Sequence, residues 1–356
     1  MKPPWLPTSS VRSSEPPPTT LAPVVSLEAI GSLLPAVGIS ERKLKKLLAI
    51  STVREQRRNG GGQKAYSARP FVLCGIPVRR PPPTTLEYFR QNGNFSLRVI
   101  GHPRFGLPFG QDRLLLIWIA SLTTWQKTRV VRFASAAAIL ETFGLPKDGR
   151  YYKRLIAGFE RIFYSTFYFT SDQREGEAVI IITRTSFRFV RDLKLWYTEE
   201  GKQPSDSRRE NVIVLSEEFW KEIRDHPVPV DLSVVKALAD SPGNLDFYIW
   251  LVWRCWTAKG HVCIPLFGPA GLVQQLGLSN NLRDRDFKRQ IKRWLRIVDQ
   301  LWLECPARLV EKSEALIVTR CQSQQNSQRP ADSGAFPRDR VRASKTVIRD
   351  SVRGHT

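Results

Sequence analysis

Four segments of this chain carry apolar residues at the helical period, and two of them are apolar on nearly every side. Residues 112–126 (DRLLLIWIASLTTWQ) and 245–259 (LDFYIWLVWRCWTAK) predict helices at the centres of two domains, because a helix without a wet face has to be enclosed. Gln111 or Asp112 opens the first, and Ser241-Pro242, a cap followed by a first-turn proline, introduces the second. The other two segments divide into opposite faces. Over 150–163, Tyr151, Tyr152, Leu155, Ile156, Phe159 and Ile162 point inward, while Lys153, Arg154 and Arg161 point outward. Over 283–301, Phe287, Ile291, Trp294, Leu295, Val298 and Leu301 gather on one side. Arg285, Lys288, Arg289, Lys292, Arg293 and Arg296 gather on the other, and Asp284 or Asp286 is the expected cap of the first turn. Past that turn the helix carries almost no acid, so pairing at three or four residues' distance neutralises little of its charge.

The segments between these helices give the order of elements. Residues 69–77 (RPFVLCGIP) read as a strand, and 85–101 (TLEYFRQNGNFSLRVIG) as two strands turned at Asn92-Gly93. A short strand at 128–133 and a small helix at 135–143, stopped by Gly144-Leu145-Pro146, precede the helix at 150–163; two β-rich runs, 164–170 and 178–184, follow it. After a strand at 211–215 and a capped helix at 216–224 the order repeats. A helix at 245–259, a strand at 261–265, a small helix at 268–276, the basic helix, and β-runs at 302–310 and 315–320 follow. Helix, strand, helix, helix, hairpin is the winged-helix order, within the helix-turn-helix class.

The two copies also match by position. Phe143-Gly144-Leu145 answers to Leu276-Gly277-Leu278, and Lys153-Arg154 with Phe159, Arg161 and Ile162 answers to Lys288-Arg289 with Trp294, Arg296 and Ile297 at equal offsets. The helical period reproduces the apolar half of that match but not the paired bases. The expected fold class is α+β, rich in helix, with two winged-helix domains in tandem. Residues 1–69 form a disordered Pro-, Ser- and Gly-rich basic arm with a short helix possible at 40–58. The first domain spans 70–200, a linker 201–210, the second domain 211–320, and a disordered basic tail 321–356.

Charge sharpens this picture. The 356 residues hold 55 Lys plus Arg against 33 Asp plus Glu, a net +22, and such an excess clustered on a helix is the footprint of a polyanion partner. Five cysteines at irregular spacing fit a reducing compartment. MKPPWLPTSS lacks the apolar core of a signal peptide, and the longest apolar runs are too short to span a bilayer, so a soluble intracellular protein is expected. Enzyme chemistry finds little support. None of the four histidines pairs with another at metal-binding spacing, and no Gly-x-x-x-x-Gly-Lys-Ser/Thr loop occurs. Tyr151-Tyr152 is better read as aromatic core than as a nicking nucleophile. Cys255, His261 and Cys263 lack the spacing of a zinc site. No catalytic residue, cofactor or metal is expected.

The runs FVLCGIPVRRP from Phe71, FGLPFG at 105–110, LSEEFWKEIRDHPVPVDLSVVKAL at 215–238 and LDFYIWLVWR at 245–254 resemble the RepA-type plasmid replication initiators. The resemblance covers about residues 70–320. It implies tandem winged helices that bind repeats at a plasmid origin, promote local melting and recruit the host replicative helicase and initiator, with a homodimer through the first module. From the residues themselves, each third helix is expected in a major groove of double-stranded DNA, the two about one helical turn (~34 Å) apart. The candidate contacts are Arg150, Lys153, Arg154 and Arg161 in the first copy and Arg283, Arg285, Lys288, Arg289, Lys292, Arg293 and Arg296 in the second, which should dominate. A transcriptional (auto)repressor using the same helices, and a nonspecific basic nucleic-acid binder, are the alternatives.

Overall fold

The computed structural model describes residues 41–58, 62–175, 179–188, 190–194, 211–268, 270–277, 283–302 and 305–320. The arm before residue 41, the linker at 201–210 and the tail after 320, as named from sequence, lie outside them.

The chain begins with helix α1 (Glu41–Arg58), strand β1 (Lys64–Ala68) and a short helix α2 (Arg69–Leu73). Helix α2 stands where a strand was expected. Pro70 occupies its first turn, where a missing N–H costs nothing, and Phe71, Val72 and Leu73 are all buried, so their apolar run is no mark of a strand. The hairpin of β2 (Glu87–Asn92) and β3 (Phe95–Ile100) follows, with Asn92 opposite Phe95 and Gly93 in the turn at φ 56°. Next come helix α3 (Asp112–Gln126), β4 (Val130–Phe133), α4 (Ala136–Thr142) and α5 (Gly149–Phe163). Ser135 caps α4 by accepting from the Ala138 N–H, and Asp148 caps α5 by accepting from that of Tyr151. As its unbroken apolar composition requires, α3 is buried from Leu114 through Leu122, with Trp118 among the most enclosed side chains.

Strands β5 (Thr166–Glu175), β6 (Val179–Arg188), β7 (Val190–Lys194) and β8 (Asn211–Leu215) complete two sheets. One is antiparallel in the order β2-β3-β5-β6, the other in the order β4-β8-β7. From α3 to β6 the elements follow the expected order, and the strands of this half fall into two sheets. The β2–β3 hairpin takes the edge of β5, and β4 instead pairs with β8, from beyond the anticipated linker.

The second half comprises α6 (Glu217–Asp225), β9 (Pro227–Asp231), α7 (Leu232–Leu238), α8 (Pro242–Thr257), β10 (His261–Pro265), α9 (Leu272–Gln275), α10 (Asp284–Leu301), β11 (Ala307–Val310) and β12 (Ala315–Thr319). Here β10, β12 and β11 form one antiparallel sheet in that order, with α8 against β12.

Residues assigned from sequence to the arm belong to this fold. Strand β1 pairs antiparallel with β9, from Lys64 opposite Asp231 to Ala68 opposite Pro227, and the Tyr66 N–H donates to Ser121 Oγ of α3 at 2.8 Å. Helix α1, anticipated as an isolated basic island, buries Ile50 and Val53 and lies against α7 and α10, where Arg54 donates to the Gln300 carbonyl at 3.3 Å. The halves also meet through charge. Arg113 of α3 forms a two-point ion pair with Asp246 of α8, at 2.7 and 2.8 Å, and donates to the Ile76 carbonyl. Burial pushes the Asp246 carboxyl up, against the pull of Arg113.

Candidate nucleic-acid interface

A strongly cationic surface follows from the division of α10 into two faces. Phe287, Ile291, Leu295, Val298 and Leu301 are buried at helical spacing, on the order of 10 kcal/mol of gross transfer free energy at about 2 kcal/mol each. Trp294, half-buried, lies beside Phe247 with ring centroids 5.9 Å apart, and Phe287 meets Phe267 edge-on. With its apolar face fixed on α8 and α1, α10 has one orientation about its own axis. Its cations are turned out by that constraint, and Arg283, Arg285, Arg289, Lys292, Arg293 and Arg296 are all exposed.

The cap of α10 differs from expectation. Arg283 is the N-cap and no side chain accepts there, so Asp284 and Asp286 act in the first turn through the helix dipole alone. Asp286 also approaches Arg289 at 3.4 Å, a pairing between exposed groups that contributes little. Among the described residues no ion pair involves Arg285, Arg293 or Arg296.

Lys288 and Lys292 are placed otherwise. The β11–β12 hairpin turns through Glu311, Lys312, Ser313 and Glu314 beside them. Glu314 pairs with Lys288, and Glu311 pairs with Lys292 at 2.6 Å. The hydrogen bond and charge of Lys292 hold the Glu311 carboxyl below its ordinary range. Lys288 also sits 5.6 Å from the centre of the Phe267 ring. The two acids did not figure in the reading of the sequence. Their charge was visible, but only the hairpin brings residues this far downstream against α10.

In the first copy the candidates separate into two groups. Arg150, Lys153 and Arg154 are exposed on α5, with Arg150 and Arg154 both over the Tyr151 ring, at 5.6 and 5.2 Å, and Arg154 donating to Gln111 at 2.8 Å. Arg161 is not part of that surface. Its guanidinium grips Asp112 through two bonds of 2.7 Å, with side-chain exposures of 13% and 4%, and covers the Phe109 ring at 4.7 Å. The period placed Arg161 on the wet side of its helix. It could not reveal that Asp112, at the start of α3, was buried there and in need of a cation.

Gly144 and Gly277, matched in the repeat, adopt the same left-handed conformation, φ 64° and 65°, after α4 and α9. At the second of these, Arg90 of β2 crosses from the first sheet to donate to the Gln275 carbonyl.

Comparison with known proteins gives the following. Residues 158–262 match the family model RepA_C, described as plasmid encoded RepA protein. The matched span runs from late α5 to the start of β10 and stops short of α10. Two solved structures of domains 2 and 3 of RctB, one of them a selenomethionine derivative, are 15% identical to this chain, each with a TM-score of 0.44. They cover 71% and 68% of this chain and 98% and 95% of their own. No curated protein sequence matches the chain.

Proposed function

We propose that the chain, whose residues 158–262 carry the RepA_C domain of plasmid-encoded RepA proteins, is a replication initiator that binds double-stranded repeats at a plasmid origin through α10. The observation that carries this reading is the orientation of α10, with five apolar side chains locked inward and an arginine row turned out. In the major groove, Arg285, Arg289, Arg293 and Arg296 reach guanine edges, where a guanidinium makes two parallel bonds, and their neighbours meet phosphates. Helix α5 supplies a weaker second contact through Arg150, Lys153 and Arg154, and the β11–β12 hairpin is the wing beside the second. Tandem winged helices on one duplex face favour bending of the site, which assists melting of adjacent DNA before host replication proteins enter.

The test is replication itself. A small plasmid whose only origin is the cognate one is maintained when this chain is supplied, and is lost when Arg289→Ala with Arg293→Ala is supplied at equal abundance. Maintenance by the variant removes α10 from the mechanism. Repression of a promoter at the repeats, without replication of the plasmid, identifies a repressor instead.

A further inference from the structure

The hairpin turn beside α10 places two carboxylates on two of its lysines. Lys288 and Lys292 are four residues apart, one above the other on the same ridge of α10, and each is held by a carboxylate from one short turn. The turn is built for this. Glu314 adopts φ 47°, a left-handed conformation in which glycine or asparagine is the unstrained choice, and its backbone oxygen accepts from the Leu266 N–H at 2.8 Å. A carboxylate is thus kept at a position whose backbone favours its absence, aimed at a lysine that the Phe267 ring flanks on another side.

We propose that Glu311 and Glu314 act as a built-in competitor of the DNA backbone, occupying Lys288 and Lys292 and so weakening sequence-independent binding by α10. The inference rests on the reading of α10 as the duplex contact. A lysine that leaves a carboxylate for a phosphate exchanges one anion for another and gains little. An unoccupied lysine gains the contact and releases a condensed counterion. Nonspecific binding draws essentially all its free energy from such contacts, whereas specific binding adds base edges read by the arginines. Masking two of the phosphate-facing cations lowers both affinities by a similar factor; this is the larger share of the nonspecific free energy, so the chain is held less on DNA that lacks the site.

The experiment uses the full-length chain, a duplex bearing repeats from its plasmid, and a scrambled duplex, each titrated across a salt series. Glu311→Gln with Glu314→Gln is expected to bind both duplexes more tightly at low salt. Its salt slope should steepen by up to about 1.8 units, about tenfold in relative affinity over a fourfold range of salt, on both duplexes, and its binding to the scrambled duplex should persist to higher salt than that of wild type. Glu314→Gly suits the left-handed backbone, so it should give about half that change in slope with unreduced thermal stability. An unchanged slope in the glutamine pair overturns the proposal. So does a loss of affinity confined to the repeats, which would make the acids readers of cytosine amino groups. Arg289→Ala with Arg293→Ala is measured in parallel. If it binds like wild type, the α10 reading falls and the competitor with it; if it loses affinity while the glutamine pair is inert, the competitor alone falls.

Discussion

Arg161 and Arg296 stand at equal offsets from the Lys-Arg pairs of α5 and α10, yet one closes a buried ion pair and the other faces solvent. The difference lies in what packs against each helix. Asp112 caps the region before α3 by accepting from the Phe109 N–H, and its enclosed carboxylate requires a cation that only α5 offers. Removing one partner of such a pair leaves an uncompensated buried charge, about 3–5 kcal/mol. Arg161→Ala is therefore expected to lower the urea midpoint strongly, while Arg296→Ala stays within about 0.5 kcal/mol of wild type, as surface changes do. Equal losses in the two variants would refute the assignment of separate roles.

Among the elements, the long periodic helices were legible and the pairings between strands were not. The sequence of α10 contains both the apolar stripe that fixes its rotation and the cations that this rotation exposes, so one segment sufficed. For β4 it did not suffice, because its partner β8 comes from far downstream, while the β2–β3 hairpin occupies the edge of β5. Helix α2 was misread since four apolar residues look alike in a buried strand and a buried turn of helix. Gly144 and Gly277, matched by position in the sequence, share a positive φ that ends each short helix. Their surroundings differ and so should their mutants. A Cβ at Gly144 meets open space, so Gly144→Ala costs only the backbone strain, about 1–2 kcal/mol. At Gly277 a Cβ would stand 2.6 Å from Arg90 Nε and 2.7 Å from Cζ, so Gly277→Ala should cost more by denaturant titration and should displace Arg90. Equal cost at both positions would mean that the Arg90 crossing is dispensable.

At the scale of the molecule, the two copies of the repeat are not beads on a string. Strands β1 and β9 pair across the chain, β8 completes a sheet with β4, and the Arg113–Asp246 ion pair joins the central helices of both halves. Arg90 adds a further crossing to α9. These contacts tie the two halves together, as the proposed reading of one duplex by α5 and α10 requires, and none of them could be read from composition or period. On the proposed reading, a charge of +22 favours any polyanion alike, so the placement of a few arginines has to supply discrimination. The measurement that tests this most directly is a salt titration of the intact chain on repeat and scrambled duplexes, beside Arg289→Ala with Arg293→Ala and, separately, Lys153→Ala with Arg154→Ala. The account predicts that the α10 variant loses the preference for repeats together with up to about two units of salt slope, and that the α5 variant loses less of both. An α10 variant that still prefers the repeats, with an unchanged slope, would contradict it.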